Sequence, residues 1–134
     1  MRTSPHTPPP PHTADARVAL GFRLEVLRYG PANGFRPEPV DLRVLATPRE
    51  AIRTIRAQLR TSHVLGLPPR EAARALRWSE HGGWLPALAA LHRGEPCGFV
   101  LLLRKGRHLE WAVRPLRYLT LDPSPGPAPA VPLP

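Results

Sequence analysis

Two stretches of nine residues in the middle of the chain repeat one another. Residues 48–56 read Pro-Arg-Glu-Ala-Ile-Arg-Thr-Ile-Arg and residues 69–77 read Pro-Arg-Glu-Ala-Ala-Arg-Ala-Leu-Arg. Each opens with proline in the first turn of a helix and glutamate close behind, and apolar residues follow at helical spacing. Thr47 and Glu50 complete a capping box ahead of the first copy: the hydroxyl can accept from the Glu50 amide while the carboxylate reaches back to the Thr47 amide. The first helix is expected to run to about Thr61 with Ile52, Ile55 and Leu59 buried, and the second from Pro69 to Trp78. A helix with one apolar stripe needs an apolar layer to pack on. In this chain, strands supply that layer.

Val18, Leu20, Phe22, Leu24 and Val26 fall on every second position, so residues 17–29 read as a strand with one buried face. Gly30–Pro39 is a loop with Asn33-Gly34 as its turn signal. Asp41–Ala46 is a second strand, with Leu42 and Val44 facing one way, and the two pair as a hairpin. Phe99–Leu103 is wholly apolar and reads as a central strand buried on both faces. Leu109, Trp111 and Val113 alternate with polar neighbours to give the return strand after a tight turn at 104–107, and Leu116–Leu121 can add a short edge. Trp84–His92 suits either a short helix with Pro86 in its first turn or a strand. The strand is preferred, because Arg93-Gly94-Glu95-Pro96 would turn it directly into the next one. The sum is one α+β domain over residues 17–121: an N-terminal β-hairpin, two Arg-striped helices and a C-terminal antiparallel hairpin or meander.

The ends differ from this middle. Residues 1–16 and 122–134 hold 11 of the 20 prolines, and such segments bury too little apolar surface to offset the entropy of ordering. They are expected to be disordered Pro-rich tails. The first residues carry no apolar run of the kind a secretory leader needs. No apolar run approaches the roughly 20 residues of a membrane helix. Cys97 is the only cysteine, so an internal disulfide is impossible. The expected location is the cytoplasm, with no membrane partner.

Residues 17–121 keep 18 of the 19 basic residues and 8 of the 10 acids, a net charge of +10. Lys105 is the only lysine. An arginine-rich composition also arises from a GC-rich genome, so the charge alone leaves both explanations open. The arrangement adds to it. Arg49, Arg53, Arg56 and Arg60 stripe the first helix, and Arg70, Arg74 and Arg77 the second, at steps of three and four that keep each set on one face. A strongly basic surface concentrates polyanions. The leading expectation is therefore a non-enzymatic accessory protein that binds a polyanion, most plausibly nucleic acid, without sequence specificity. The stripes can also be solvated faces stabilised by local pairs such as Glu71 with Arg74. An acidic protein surface is the other partner these arginines suit, and a protein-interaction module using exposed aromatic residues and a Pro-rich tail is the rival.

Catalytic chemistry has little to work with. His6, His12, His63, His81, His92 and His108 are too scattered for a nameable metal site. Cys97 reads as a small buried residue at a strand start, and as a nucleophile only if a histidine came near. There is no Gly-rich phosphate loop or Gly-x-Ser-x-Gly. No cofactor is expected.

Two partial resemblances remain. Residues 69–111 resemble an excisionase-type winged helix-turn-helix, with Pro69–Leu76 as its first helix, Ser79-Glu80 as its turn and Arg93–Pro96 as the step into the wing. The resemblance implies that residues 81–92 are the recognition helix, yet Gly82, Gly83, Pro86 and apolar side chains stand where base-reading groups belong. Gly94–Leu101 is similar to the central hairpin of GNAT-type acetyltransferases, and Ala112–Pro115 to the strand before their coenzyme loop. A Pro-rich segment follows here instead of the Gly-rich loop and helix that would hold a pyrophosphate, so this resemblance implies at most a degenerate acyltransferase.

Overall fold

The residues described by the computed structural model are 16–61 and 66–121. β1 (Ala16–Tyr29) and β2 (Glu38–Leu45) form the N-terminal hairpin; α1 (Pro48–Thr61), α2 (Pro69–Glu80) and α3 (Leu85–His92) follow; β3 (Cys97–Leu102) and β4 (His108–Leu121) form the second hairpin. The sheet order is β2-β1-β4-β3, and both hairpins are antiparallel. This is the expected α+β class. The body comprises residues 20–116, and the outer ends of β1 and β4 belong to a second, smaller unit with the chain termini. In that unit the Thr120 hydroxyl donates to the Arg17 carbonyl at 3.3 Å. The expected disordered tails lie outside the described residues, except that Ala16 already opens β1.

Register shows which side of the sheet is covered. Leu24 pairs with Arg43 and Val26 with Asp41, while Phe99 pairs with Trp111 and Leu101 with Leu109. Side chains of directly paired residues share a face. Leu24, Val26, Leu101, Leu109, Trp111 and Val113 form one core with Ala51, Ile52, Ile55 and Leu59 of α1, Ala75 and Trp78 of α2 and Leu91 of α3. The helices therefore lie on this face. The other face carries Val40, Leu42, Val44 and Leu102, each more than half exposed.

Three expectations need correction. The alternation in β1 continues to its start, but burial does not: Val18 and Leu20 are each 67% exposed. β3 is an edge strand rather than a central one, so Leu101 is buried and Leu102 is open to solvent. Residues 85–92 are a helix, not a strand. Gly94, expected to turn one strand into the next, instead ends α3 at φ +77°. Its amide returns to the Leu91 carbonyl and the Glu95 amide to the Ala90 carbonyl. This is a Schellman close, which needs a left-handed residue and hence favours glycine.

The helix starts are also specific. Glu50 N–H donates to Thr47 Oγ1 at 3.1 Å, as the capping box requires. The reciprocal bond is shifted by one residue: Glu50 Oε2 accepts from the Ala46 amide at 3.2 Å rather than from Thr47. No helix among the described residues is long and apolar enough to cross a membrane.

Candidate anion-binding surface on the helices

The seven arginines of the two stripes have different surroundings. Arg74 lies against the sheet edge: its Nη1 donates to Glu71 Oε2 at 2.7 Å and to the Val100 carbonyl at 3.1 Å. Arg60 pairs with Glu80, and Arg56 reaches the same carboxylate at 3.8 Å. Arg56 also donates from Nε to the Ser79 carbonyl at 2.6 Å. Arg49, Arg53, Arg70 and Arg77 are exposed and have no ion pair among the described residues.

Three of the seven converge. Arg49, Arg53 and Arg56 line a cavity of about 190 Å³ between α1 and α3, together with Ile52, Trp84 and Leu88. No carboxylate lines it. The helical step explains the grouping: residues 49, 52, 53 and 56 follow one another at three, four and seven positions along one side of α1. Arg53 also borders a neighbouring hollow that contains Arg43 and Gln58. The basic surface thus passes from the β2 edge over α1 towards α3.

Trp84, the remaining wall, is the residue that the strand reading of 84–92 concealed. Its position follows from the turn before it. α2 closes at Gly82, φ +83°, and the Gly83 amide returns to the Arg77 carbonyl. A Cβ on Gly83 would lie 2.6 Å from Trp78 Cα, so no other residue fits without a backbone shift. Trp84 then presents a half-buried indole to α1, and the Arg56 guanidinium lies over its ring, 4.8 Å from the centroid. Pro86 in the first turn and Gly94 after the last were the sequence signals for this helix.

Glu80 sets the charge balance at one end of this surface. The hydrogen bond from Arg60, with Arg56 nearby, holds its carboxyl below the usual carboxylate range. It is therefore ionised at neutral pH and offsets part of the charge on both arginines.

The residues considered for chemistry are separated. Burial pushes the Cys97 thiol up to about 11, so it holds almost no thiolate, the nucleophilic form, at neutral pH. Among the described residues, no three His, Cys, Asp or Glu side chains gather as metal ligands. His108 stacks on Tyr29, centroids 4.5 Å apart, and Tyr29 donates to Glu110 at 3.1 Å. Burial and this carboxylate raise the phenol's pKa, so Tyr29 serves as a neutral donor. No family model, curated protein or solved structure matches the chain.

Proposed function

We propose that this protein binds polyanions through Arg49, Arg53 and Arg56, that its ligand is the nucleic-acid backbone, and that it does so in the cytoplasm without sequence specificity. The observation that carries this reading is the convergence of three guanidinium groups on one cavity without a carboxylate in its wall. Arginine suits phosphate because its planar fork can bond two oxygens at once. The lack of specificity is supported by α3: its solvent side offers Leu85, Pro86 and Ala89, none of which can read a base edge.

Affinity for random duplex is expected at about 10⁻⁴–10⁻⁶ M at physiological salt. Arg49 and Arg53 are the residues to change, because both are exposed and neither supports the fold. Arg56 is less suitable, since it also holds the end of α2 through Ser79. Each phosphate contact adds about 0.9 to the slope of log affinity against log salt. The Arg49→Gln/Arg53→Gln variant should lower the slope magnitude by about 1.8, with an unchanged circular dichroism spectrum. A double variant that binds as the parent does, or a parent that fails to bind at low salt, would overturn the reading.

Glu80 gives a test in the opposite direction. Glu80→Gln removes the carboxylate that engages Arg56 and Arg60, and should tighten binding and steepen the slope by about 0.9 for each arginine released. An unchanged slope in a salt titration would show that Glu80 does not restrain this surface.

A protein-interaction module is the second reading, favoured by the open sheet face with Val40, Leu42, Val44 and Leu102. Association through that face would be apolar and weakly dependent on salt. Salt-insensitive self-association that Leu42→Glu abolishes, measured by sedimentation, would favour it. A degenerate acyltransferase is the weakest reading: β4 continues through Pro115 to Leu121, where a coenzyme-binding loop and helix would be needed.

A further inference from the structure

We infer that the cavity between α1 and α3 takes one unpaired base of a single-stranded nucleic acid, stacked at Trp84, while Arg49 and Arg53 hold the phosphates that flank it. This rests on the polyanion reading and specifies its ligand. The cavity combines two kinds of wall. Ile52, Leu88 and the Trp84 indole are apolar or aromatic, and Arg49, Arg53 and Arg56 are cationic. A phosphate group alone has no use for the first set, and an apolar ligand has no use for the second. A base joined to a phosphate backbone uses both.

Size decides between a strand and a free nucleotide. At about 190 Å³ the cavity is smaller than the roughly 300–1,000 Å³ of pockets that enclose a whole small molecule. It has room for a planar ring and leaves sugar and phosphates outside, where Arg49 and Arg53 are exposed. The Arg56 guanidinium over the indole extends the planar surface, and bases stack on both aromatic rings and guanidinium planes. In a duplex the bases are paired and stacked within the helix, so none can enter. Sequence-tolerant single-strand binders use this combination of cationic groove and aromatic platform.

The test is fluorescence anisotropy of the full chain with labelled oligo(dT) of twelve residues and with a twelve-pair duplex, at one salt concentration. The parent should prefer the strand by at least about 5-fold, the lower end of what one stacked base contributes. Trp84→Leu should reduce strand affinity by about 5- to 150-fold and abolish the preference; Trp84→Phe should retain most of it. Thermal melts of both variants confirm that they fold. A second readout comes from intrinsic fluorescence. Trp78 and Trp111 are buried and Trp84 is the half-exposed indole, so oligo(dT) should quench the parent and not Trp84→Phe. Equal strand and duplex affinity in the parent, or an unchanged preference in folded Trp84→Leu, would overturn the base pocket. If Arg49→Gln/Arg53→Gln still weakens both ligands in that case, the polyanion reading stands. Thymidine monophosphate binding as tightly as the strand would also overturn the inference, in favour of a mononucleotide site. Absence of binding to either oligonucleotide would overturn both readings.

Discussion

Glu71→Ala is expected to destabilise the protein by about 3 kcal/mol and to leave β3 prone to pairing with other chains. Glu71 is buried, 7% exposed, and its Oε2 accepts from the Leu102 amide at 2.8 Å and from Arg74 at 2.7 Å. Arg74 in turn donates to the Val100 carbonyl. Val100 N–H and C=O and Leu102 N–H and C=O point to the outer edge of β3, because residues 97, 99 and 101 direct theirs towards β4 or alternate with it. The two side chains of α2 thus occupy the positions that a fifth strand would take, an acceptor for one amide and a donor for one carbonyl. Removing one partner of a buried pair costs about 3–5 kcal/mol. The lower figure applies, since the Arg74 side chain is 36% exposed and can turn its charge to water. Glu71→Gln keeps an acceptor for Leu102 and should cost less. Urea denaturation gives the stability, and size-exclusion chromatography at rising concentration reads the freed edge. A Glu71→Ala loss below about 0.5 kcal/mol, typical of surface sites, would show that the edge needs no such cover.

The two similar helices show how far the sequence was legible. Their openings match residue for residue, and both helices form where the prolines and glutamates place them. Their roles do not match. In α1 the buried residues are Ala51, Ile52, Ile55 and Leu59; in α2 they are Glu71, Ala75, Trp78 and Ser79. The repeat counterpart of Ile55 is Leu76, which is 52% exposed. The buried stripe of α2 is displaced by one position, a rotation of about 100° at 3.6 residues per turn. Glu50 therefore caps its own helix, whereas its counterpart Glu71 faces β3. Arg53 lines an open cavity, whereas its counterpart Arg74 is held at the sheet edge. Periodicity gives the stripe within a helix but not the angle at which the helix meets its neighbours, and that angle decided which arginines stay free. Burial along β1 failed for a related reason. Alternation from Val18 to Val26 describes the strand, but only a helix above it buries a residue, and Leu24 and Val26 are the ones that α1 to α3 cover. Trp84 was lost because a short apolar run has no periodicity of its own; the glycines on either side carried the information.

Trp111→Ala should cost about 3–5 kcal/mol, the other large loss expected in this fold. The indole is 2% exposed and packs against Phe99 at a centroid distance of 6.5 Å. Its Nε1–H donates to Gln58 Oε1 at 2.8 Å, and Gln58 Nε2 donates to Asp41 Oδ2 at 2.9 Å. One side chain of α1 thereby joins β4, in the middle of the sheet, to β2 at its edge. Gln58 is suited to this because its amide offers a donor and an acceptor at once. The change to alanine removes the ring and orphans Gln58 Oε1. Trp111→Phe separates the two effects: it keeps most of the apolar contact and leaves the oxygen without its donor, which costs about 1–3 kcal/mol. Gln58→Met removes the amide from the other side. If the hydrogen bond is what couples the indole to α1, Trp111→Phe should cost less in the Gln58→Met background than in the parent, by 0.5 kcal/mol or more, since residues in one network are not additive. Additive losses in urea denaturation would mean that Trp111 contributes only as an apolar ring. A coupled result would make α1 and the sheet one cooperative unit, and would fix Arg49, Arg53 and Arg56 on a rigid element rather than on one that opens separately.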